Sequence, residues 1–200
     1  MHPSPTDLLV LHAVRLKGFA DTDAVAARFA LDAAQTHEEL LDAEAYGWVT
    51  RSAFADLTGW SLTEAGRRQN EARLREELDR VGARAAVVAV HDAFLPLNTQ
   101  AAHAFTAWQL GSADPGTAAA PPSSGGVPDW LDELAHSLHQ LEPRLTAHLD
   151  RFGGYHRRFA AALARAGEDR AWITGMEVDS CHRIWFELHE DLIASLNLSR

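Results

Sequence analysis

Lysine occurs once in this chain, at position 17, and cysteine once, at position 181. A lone cysteine excludes an internal disulfide and a thiolate-only metal site, and the apolar neighbours of Cys181 predict a buried residue, not a reactive thiol. No apolar run approaches the length of a membrane span. The start, Met1-His2-Pro3-Ser4-Pro5, lacks the basic and apolar regions of a signal peptide, so the expectation is a cytoplasmic chain with no membrane partner. Enzyme signatures are missing too: there is no Gly-x-Gly-x-x-Gly, Walker loop, Gly-x-Ser-x-Gly or His-Glu-x-x-His. Gly153-Gly154 is too short to cradle a phosphate. No cofactor is assigned and the chain is not expected to be an enzyme. The formal charge of -10 also lacks the basic excess that phosphate binding favours, so the placement of the arginines matters more than their number.

What is present is helical. Two hundred residues, 46% of them apolar, suffice for one large domain or two small ones with a real core. Leu8, Leu11 and Leu16 pattern a first helix from Thr6-Asp7, closed by Gly18. Asp21 to Asp23 cap a short second helix, Ala24 to Ala30. Asp32 caps a third reaching about Tyr46, with Thr36, Leu40 and Leu41 on an inward stripe. Gly47 stops it. Trp48 to Arg51 and Gly59 to Leu62 then read as the strands of a hairpin, and Thr63 as the cap of a helix running to Gly82. That helix alternates acids and arginines, as a solvated face does, and its stripe of Leu74, Leu78 and Val81 is free to pack on a partner subunit. Ala85 to Leu95 is almost wholly apolar and predicts a buried helix. The run 111–128, rich in Gly, Ser, Pro and Ala, reads as a flexible insertion. Asp129 is expected to cap a helix from Trp130 to about Arg151, and further helices are predicted over 155–166 and 176–196.

Three helices followed by a hairpin is the winged-helix order. The stretch Gly47-Trp48-Val49-Thr50-Arg51 with Leu62-Thr63-Glu64-Ala65-Gly66-Arg67 resembles the wing of winged-helix transcriptional regulators, particularly the MarR-like group. That resemblance covers the first third of the chain. The helices that follow are placed as in PadR-like or GntR-like regulators with a C-terminal dimer or effector domain, and Trp185 to Leu192 is similar to the ending of an actinobacterial MarR-like group. The resemblance implies a mainly α fold: a winged helix-turn-helix domain over 1–67 and an all-α domain over 68–200 that dimerises and possesses an effector site.

In the common docking mode the start of the third helix enters the major groove and the wing touches the backbone. Gln35, Thr36 and His37 are then the base-reading candidates, and Arg28, Arg51, Arg67 and Arg68 the phosphate contacts. The same helix carries Glu38, Glu39, Asp42 and Glu44 and no Lys or Arg. Over Met1 to Asn70, six cations face ten acids, a balance that repels phosphate.

In the second half, Asp132, His136 and His139 recur at i, i+4 and i+7, and Glu133 with His136 has the Glu-x-x-His spacing of helical di-metal sites. Asp179, His182 and His189 are further possible ligands. Histidines on an amphipathic helix are ordinarily solvated or partnered by carboxylates, so Asp132, His136 and His139 remain candidates and no metal is assigned. Trp108, Trp130, Tyr155, His182, Trp185 and His189 are the candidate lining of a small-molecule pocket. The first expectation is therefore a homodimeric transcriptional regulator that binds double-stranded DNA and answers to an effector. The alternative is a winged-helix adaptor that contacts proteins through its acidic helix, and the third is a metal-dependent helical enzyme.

Overall fold

A computed structural model describes residues 2–54, 57–113 and 128–198. The chain is mainly helical with a small two-stranded antiparallel hairpin. It divides into two units: Met1–Ala85 with His148–Arg151 and Glu190–Arg200, and Ala86–Ala147 with Phe152–His189.

The first unit opens with α1 (Thr6–Lys17), α2 (Thr22–Arg28) and α3 (Ala33–Ala45). The starts of α2 and α3 have a visible cause. Asp21 accepts a hydrogen bond from the Ala24 amide and Asp32 one from the Gln35 amide, both at 2.8 Å, so the caps read in sequence hold two otherwise unpaired donors. The hairpin β1 (Val49–Phe54) and β2 (Leu57–Leu62) pairs Val49 with Leu62 and Arg51 with Trp60. Val10, Leu11, Val14, Val25, Leu40, Val49 and Trp60 close the core between the three helices and the hairpin. Trp60 is anchored at its polar end, where Nε1 donates to Thr22 Oγ1 at 3.1 Å.

The junction of hairpin and α4 (Glu64–Arg80) explains the Leu-Thr-x-x-Gly motif. Thr63 Oγ1 accepts from the Gly66 amide at 3.0 Å and donates to the Gly47 carbonyl at 2.7 Å. A Cβ at Gly66 would collide with the Trp48 carbonyl oxygen. Gly47, just past α3, has φ +71°, a left-handed conformation that favours glycine. Thr63 and Gly66 are thus fixed by a close backbone approach between α4 and the entry to β1, and Gly47 by its left-handed φ.

The α4 stripe is consumed inside this unit: Leu74 and Leu78 are wholly buried, Leu74 packing with Leu8 and Ala194. The expectation that these leucines face a partner subunit is corrected accordingly. Leu41 is another correction. It is 39% exposed, because the buried positions of α3 are Thr36, Leu40 and Ala43, and Leu41 falls one residue round from that stripe.

The second unit contains most of α5 (Arg84–Ala113), α6 (Asp129–Thr146), α7 (Tyr155–Ala166), α8 (Ala171–Thr174) and the start of α9 (Cys181–Leu196). Leu131, Leu134, Leu138, Leu141 and Leu145 form the buried face of α6, as their spacing predicts. Three boundaries and the burial of one helix differ from expectation. Pro128, not Asp129, precedes the first turn of α6, and its carbonyl accepts from the Leu131 amide. The same helix ends at Thr146, because His148 to Arg151 belong to the first unit, where His2 bridges to Leu149. The last helix begins at Cys181, where Ser180 Oγ accepts from the Arg183 amide, and a short α8 precedes it. Finally, α5 is not a buried helix: Val88 and Leu95 are about two-fifths exposed opposite the buried Val87, Val90 and Phe94. Of the run 111–128 read as flexible, 111–113 continue α5 and Pro128 is buried; 114–127 lie outside the described residues.

Candidate functional site

The outward face of α3 carries Gln35, Glu38, Asp42 and Glu44, all exposed, with His37 and Glu39 half-buried. Thr36 faces the other way. It is wholly buried and its hydroxyl donates to the Asp32 carbonyl at 2.8 Å, so it offers nothing to a groove. His37 lies edge-on to Trp60 with ring centroids 6.3 Å apart. Crowding of like charge leaves a mark at Glu39: burial, and then the neighbouring Asp7 and Asp42 carboxylates, push its carboxyl above the usual range. Past the end of α3, Tyr46 is 69% exposed and stacks on Trp48 at 4.7 Å.

The predicted phosphate contacts do not gather beside this face. Arg28 is 7% exposed, with its guanidinium 4.4 Å over the Phe29 ring, and its charge helps to hold the Asp191 carboxyl down. It therefore belongs to the interior, not to a phosphate-binding edge. Arg15 is also inside, bonded at 2.8 Å to both Glu71 and Glu190. Arg51 is exposed on the hairpin, 5.5 Å over the Trp60 ring. Arg67 is half exposed and 3.9 Å from Glu190, and Arg68 pairs with Glu64 at 3.3 Å.

Sequence reasoning missed a buried polar network in the first unit. His12 Nε2 lies 2.9 Å from Asp191 Oδ1, and His12 Nδ1 lies 3.3 Å from Asn70 Oδ1. Both ring nitrogens thus lie within hydrogen-bond distance of a side-chain oxygen. Arg151 donates to Glu77 Oε2 at 2.7 Å, to Asp191 Oδ1 at 2.6 Å and to Ser195 Oγ at 2.9 Å. These residues are all at least nine-tenths buried, and they come from each of the three chain segments that make up the unit. The signal that could have found them is positional. His12 falls on the side of α1 marked by Leu8 and Leu11, and Asp191 sits among Leu188, Leu192 and Ile193, so both polar groups lie on inward stripes.

Burial alone would raise the Asp191 carboxyl, but His12 and Arg151 beside it hold it well below the usual carboxylate range. A depressed folded-state pKa contributes stability that is fully present above the unfolded value, about 3.9, and is lost as pH falls through the folded value. Asp191→Asn is therefore expected to lower stability at neutral pH and to flatten its decline between about pH 4 and pH 2, read by urea melts across that range. An acid limb identical to that of the wild type would contradict this assignment.

In the second unit four of the six predicted pocket residues fall into two aromatic groups. Trp185 and His189 both pack on Phe94, at 4.9 and 5.5 Å, and Trp185 Nε1 donates to Asn98 Oδ1 at 3.0 Å. Trp130 and His182 both meet Phe105 edge-on at 5.0 Å. Burial lowers the pKa of His182, and its Nδ1 has no hydrogen-bond partner among the described residues. Tyr155 is fully buried beside Arg158, and Trp108 lies under Arg170. Arg158 itself clamps Asp179 and Glu187 with bonds of 2.6 to 2.8 Å, which ties the approach to α9 to α7.

Asp132, His136 and His139 are exposed. His136 bonds Gln140 at 2.7 Å and His139 packs on His156 at 4.8 Å. Among the described residues no three His, Cys, Asp or Glu side chains gather as a metal site, so the helical spacing does not assemble one there. Asp179 is engaged by Arg158, not by a histidine cluster.

No family model, curated protein or solved structure matches this chain. No helix among the described residues is long and apolar enough to cross a membrane. Cys181 is buried beneath the Phe159 carbonyl at 3.9 Å, and burial pushes its thiol up to about 12. A thiol reagent at neutral pH is expected to leave the folded protein unlabelled and to modify one cysteine once denaturant is added. Rapid labelling of the folded protein would contradict the burial of this helix start.

Proposed function

We propose that the first eighty residues form a winged helix of the MarR-like kind whose third helix recognises a protein surface in place of duplex DNA. The fold part of this reading rests on the order α1, α2, α3, hairpin, α4, with α3 packed on α1, α2 and β1 and its other face outward. One observation carries the functional part. The two cations nearest to an interior position, Arg15 and Arg28, are turned inward among carboxylates, while Glu38, Asp42 and Glu44 remain exposed on α3. DNA affinity is built chiefly on phosphate neutralisation, and this face supplies the opposite charge. A basic protein segment suits it, with Tyr46 and Trp48 as an aromatic anchor at one end.

A second reading, a DNA-binding transcriptional regulator acting as a homodimer, is favoured by the exposure of Gln35 and Arg51, which keeps one base-reading and one phosphate-contacting residue available. The two separate on charge reversal. With the full chain as bait, Glu38→Arg/Asp42→Arg is expected to lose the protein partner that the wild type retains, and Arg51→Ala to keep it. The regulator reading expects the reverse pattern on operator DNA: the reversal strengthens binding, Arg51→Ala weakens it for every sequence, and Gln35→Ala relaxes its preference.

A further inference from the structure

The backbone of β1 is paired on one side only, and its other side is the one that α3 reaches. On β2, both backbone groups of Trp60 go to Ala20: the Trp60 amide donates to the Ala20 carbonyl at 2.7 Å, and the Trp60 carbonyl accepts from the Ala20 amide at 3.2 Å. In an antiparallel ladder a residue directs its N–H and C=O to the same side, and successive residues alternate. Trp60 therefore turns both groups away from β1. Arg51, its partner across the ladder, turns both away from β2. By the same alternation Ala53 also faces outward, while Thr50 and Ser52 hold the hairpin. At this outer edge one acceptor is already seated: the Arg51 amide donates to Glu44 Oε1 at 3.3 Å, the long end of such bonds. Among the described residues nothing bonds the Arg51 carbonyl or the backbone groups of Ala53, and residues 50–53 are exposed. An open edge of this kind is a template for another strand.

We propose that β1 takes up an extended, basic segment of a partner protein as an added strand, with Glu44 passing from the Arg51 amide to a cation of the incoming chain. This inference rests on the reading of α3 as a protein-binding face and names the form in which the partner is held. Strand addition draws its affinity from backbone bonds and its selectivity from side chains. The backbone part is the outward Arg51 and Ala53. The charge of the occupant follows from what stands beside the edge: Glu44 near the end of α3, with Glu38 and Asp42 exposed on the same helix. An incoming arginine or lysine is favoured there, and an acidic strand is repelled. The Arg51 guanidinium lies over the Trp60 ring, so Arg51 serves the added strand through its backbone, which alanine retains.

The test titrates a short peptide of alternating arginine and threonine into the isotope-labelled full chain, with amide hydrogen exchange read residue by residue. Saturable binding is expected, with exchange slowed about tenfold or more at the Arg51 and Ala53 amides and little changed at Thr50 and Ser52, which the hairpin already protects. Ala53→Pro removes an outward amide and leaves the hairpin ladder intact. It is expected to weaken binding up to about tenfold, the scale of one lost hydrogen bond, with an unchanged thermal melt. The same peptide N-methylated along its backbone keeps every charge but offers no donor, and it should lose binding to the unaltered protein. This arm decides the matter if proline disturbs the hairpin. Binding indifferent to N-methylation, with no protection at Arg51 and Ala53, would overturn strand addition and leave α3 as a surface that recognises charge alone. No saturable binding of the native peptide would overturn the reading of α3 as well.

Discussion

Replacing Arg151 by methionine is expected to cost about 3–5 kcal/mol of stability, the usual penalty for breaking a buried ion pair by removing one partner. Arg151 is wholly buried at its side chain and is the hub of the network: it bonds Glu77, Asp191 and Ser195 together. Methionine fills much of the volume but leaves two carboxylates in the interior without their guanidinium. The loss should shrink when the acids are neutralised as well. Arg151→Met/Glu77→Gln is expected to cost less than the sum of the two single changes, because groups in one network couple. Urea melts of the four proteins measure this directly. A loss below about 1 kcal/mol for the single variant, the scale of an exposed pair, would show that the network is solvated.

The second large effect is at Gly66. In an ordinary helix interior, glycine to alanine is stabilising by about 1 kcal/mol. Here the sign reverses, because the new methyl would overlap the Trp48 carbonyl oxygen, a backbone atom that cannot rotate aside. Relief requires α4 to draw away from the entry to β1, which strains the Thr63 hydroxyl bonds to Gly47 and Gly66. A net cost of about 3 kcal/mol is expected, at the upper end of overpacking penalties, or roughly 10 °C in melting temperature for a chain of this size. Ala65→Gly, one residue away on an exposed position, should cost only the ordinary propensity difference. A Gly66→Ala protein as stable as the wild type would remove this explanation of the motif.

That motif shows how far the sequence carries. Local chemistry was legible: Asp21, Asp32 and Thr63 cap the helices they were expected to cap, and the leucines of α6 face inward as spaced. These features depend on residues three or four apart. What was not legible depends on distant partners. Arg28 reads as a surface cation at a helix end, yet it is held inside near Asp191, 163 positions away in sequence. The end of α6 cannot be foreseen from its own pattern, since His148 to Arg151 leave it to join His2 and the network. The apolar run from Ala85 to Leu95 gives no hint that Val88 and Leu95 remain exposed, because hydrophobicity alone does not say whether a helix is covered on one side or two. The candidate site is legible only in its charge. The acidic α3 face is written plainly at Glu38, Asp42 and Glu44, but the inward turn of Arg15 and Arg28, which removes the compensating cations, is a tertiary fact.

The most direct test of the claim that α3 is a protein-binding face is fluorescence anisotropy of a labelled duplex from the chain's own upstream region, titrated with the full chain at low salt, where phosphate attraction is strongest. No saturable binding is predicted, nor any difference from a scrambled duplex, whereas Glu38→Arg/Asp42→Arg should acquire a salt-sensitive affinity for both. Saturable, sequence-dependent binding by the wild type, weakened by Arg51→Ala, would contradict the account.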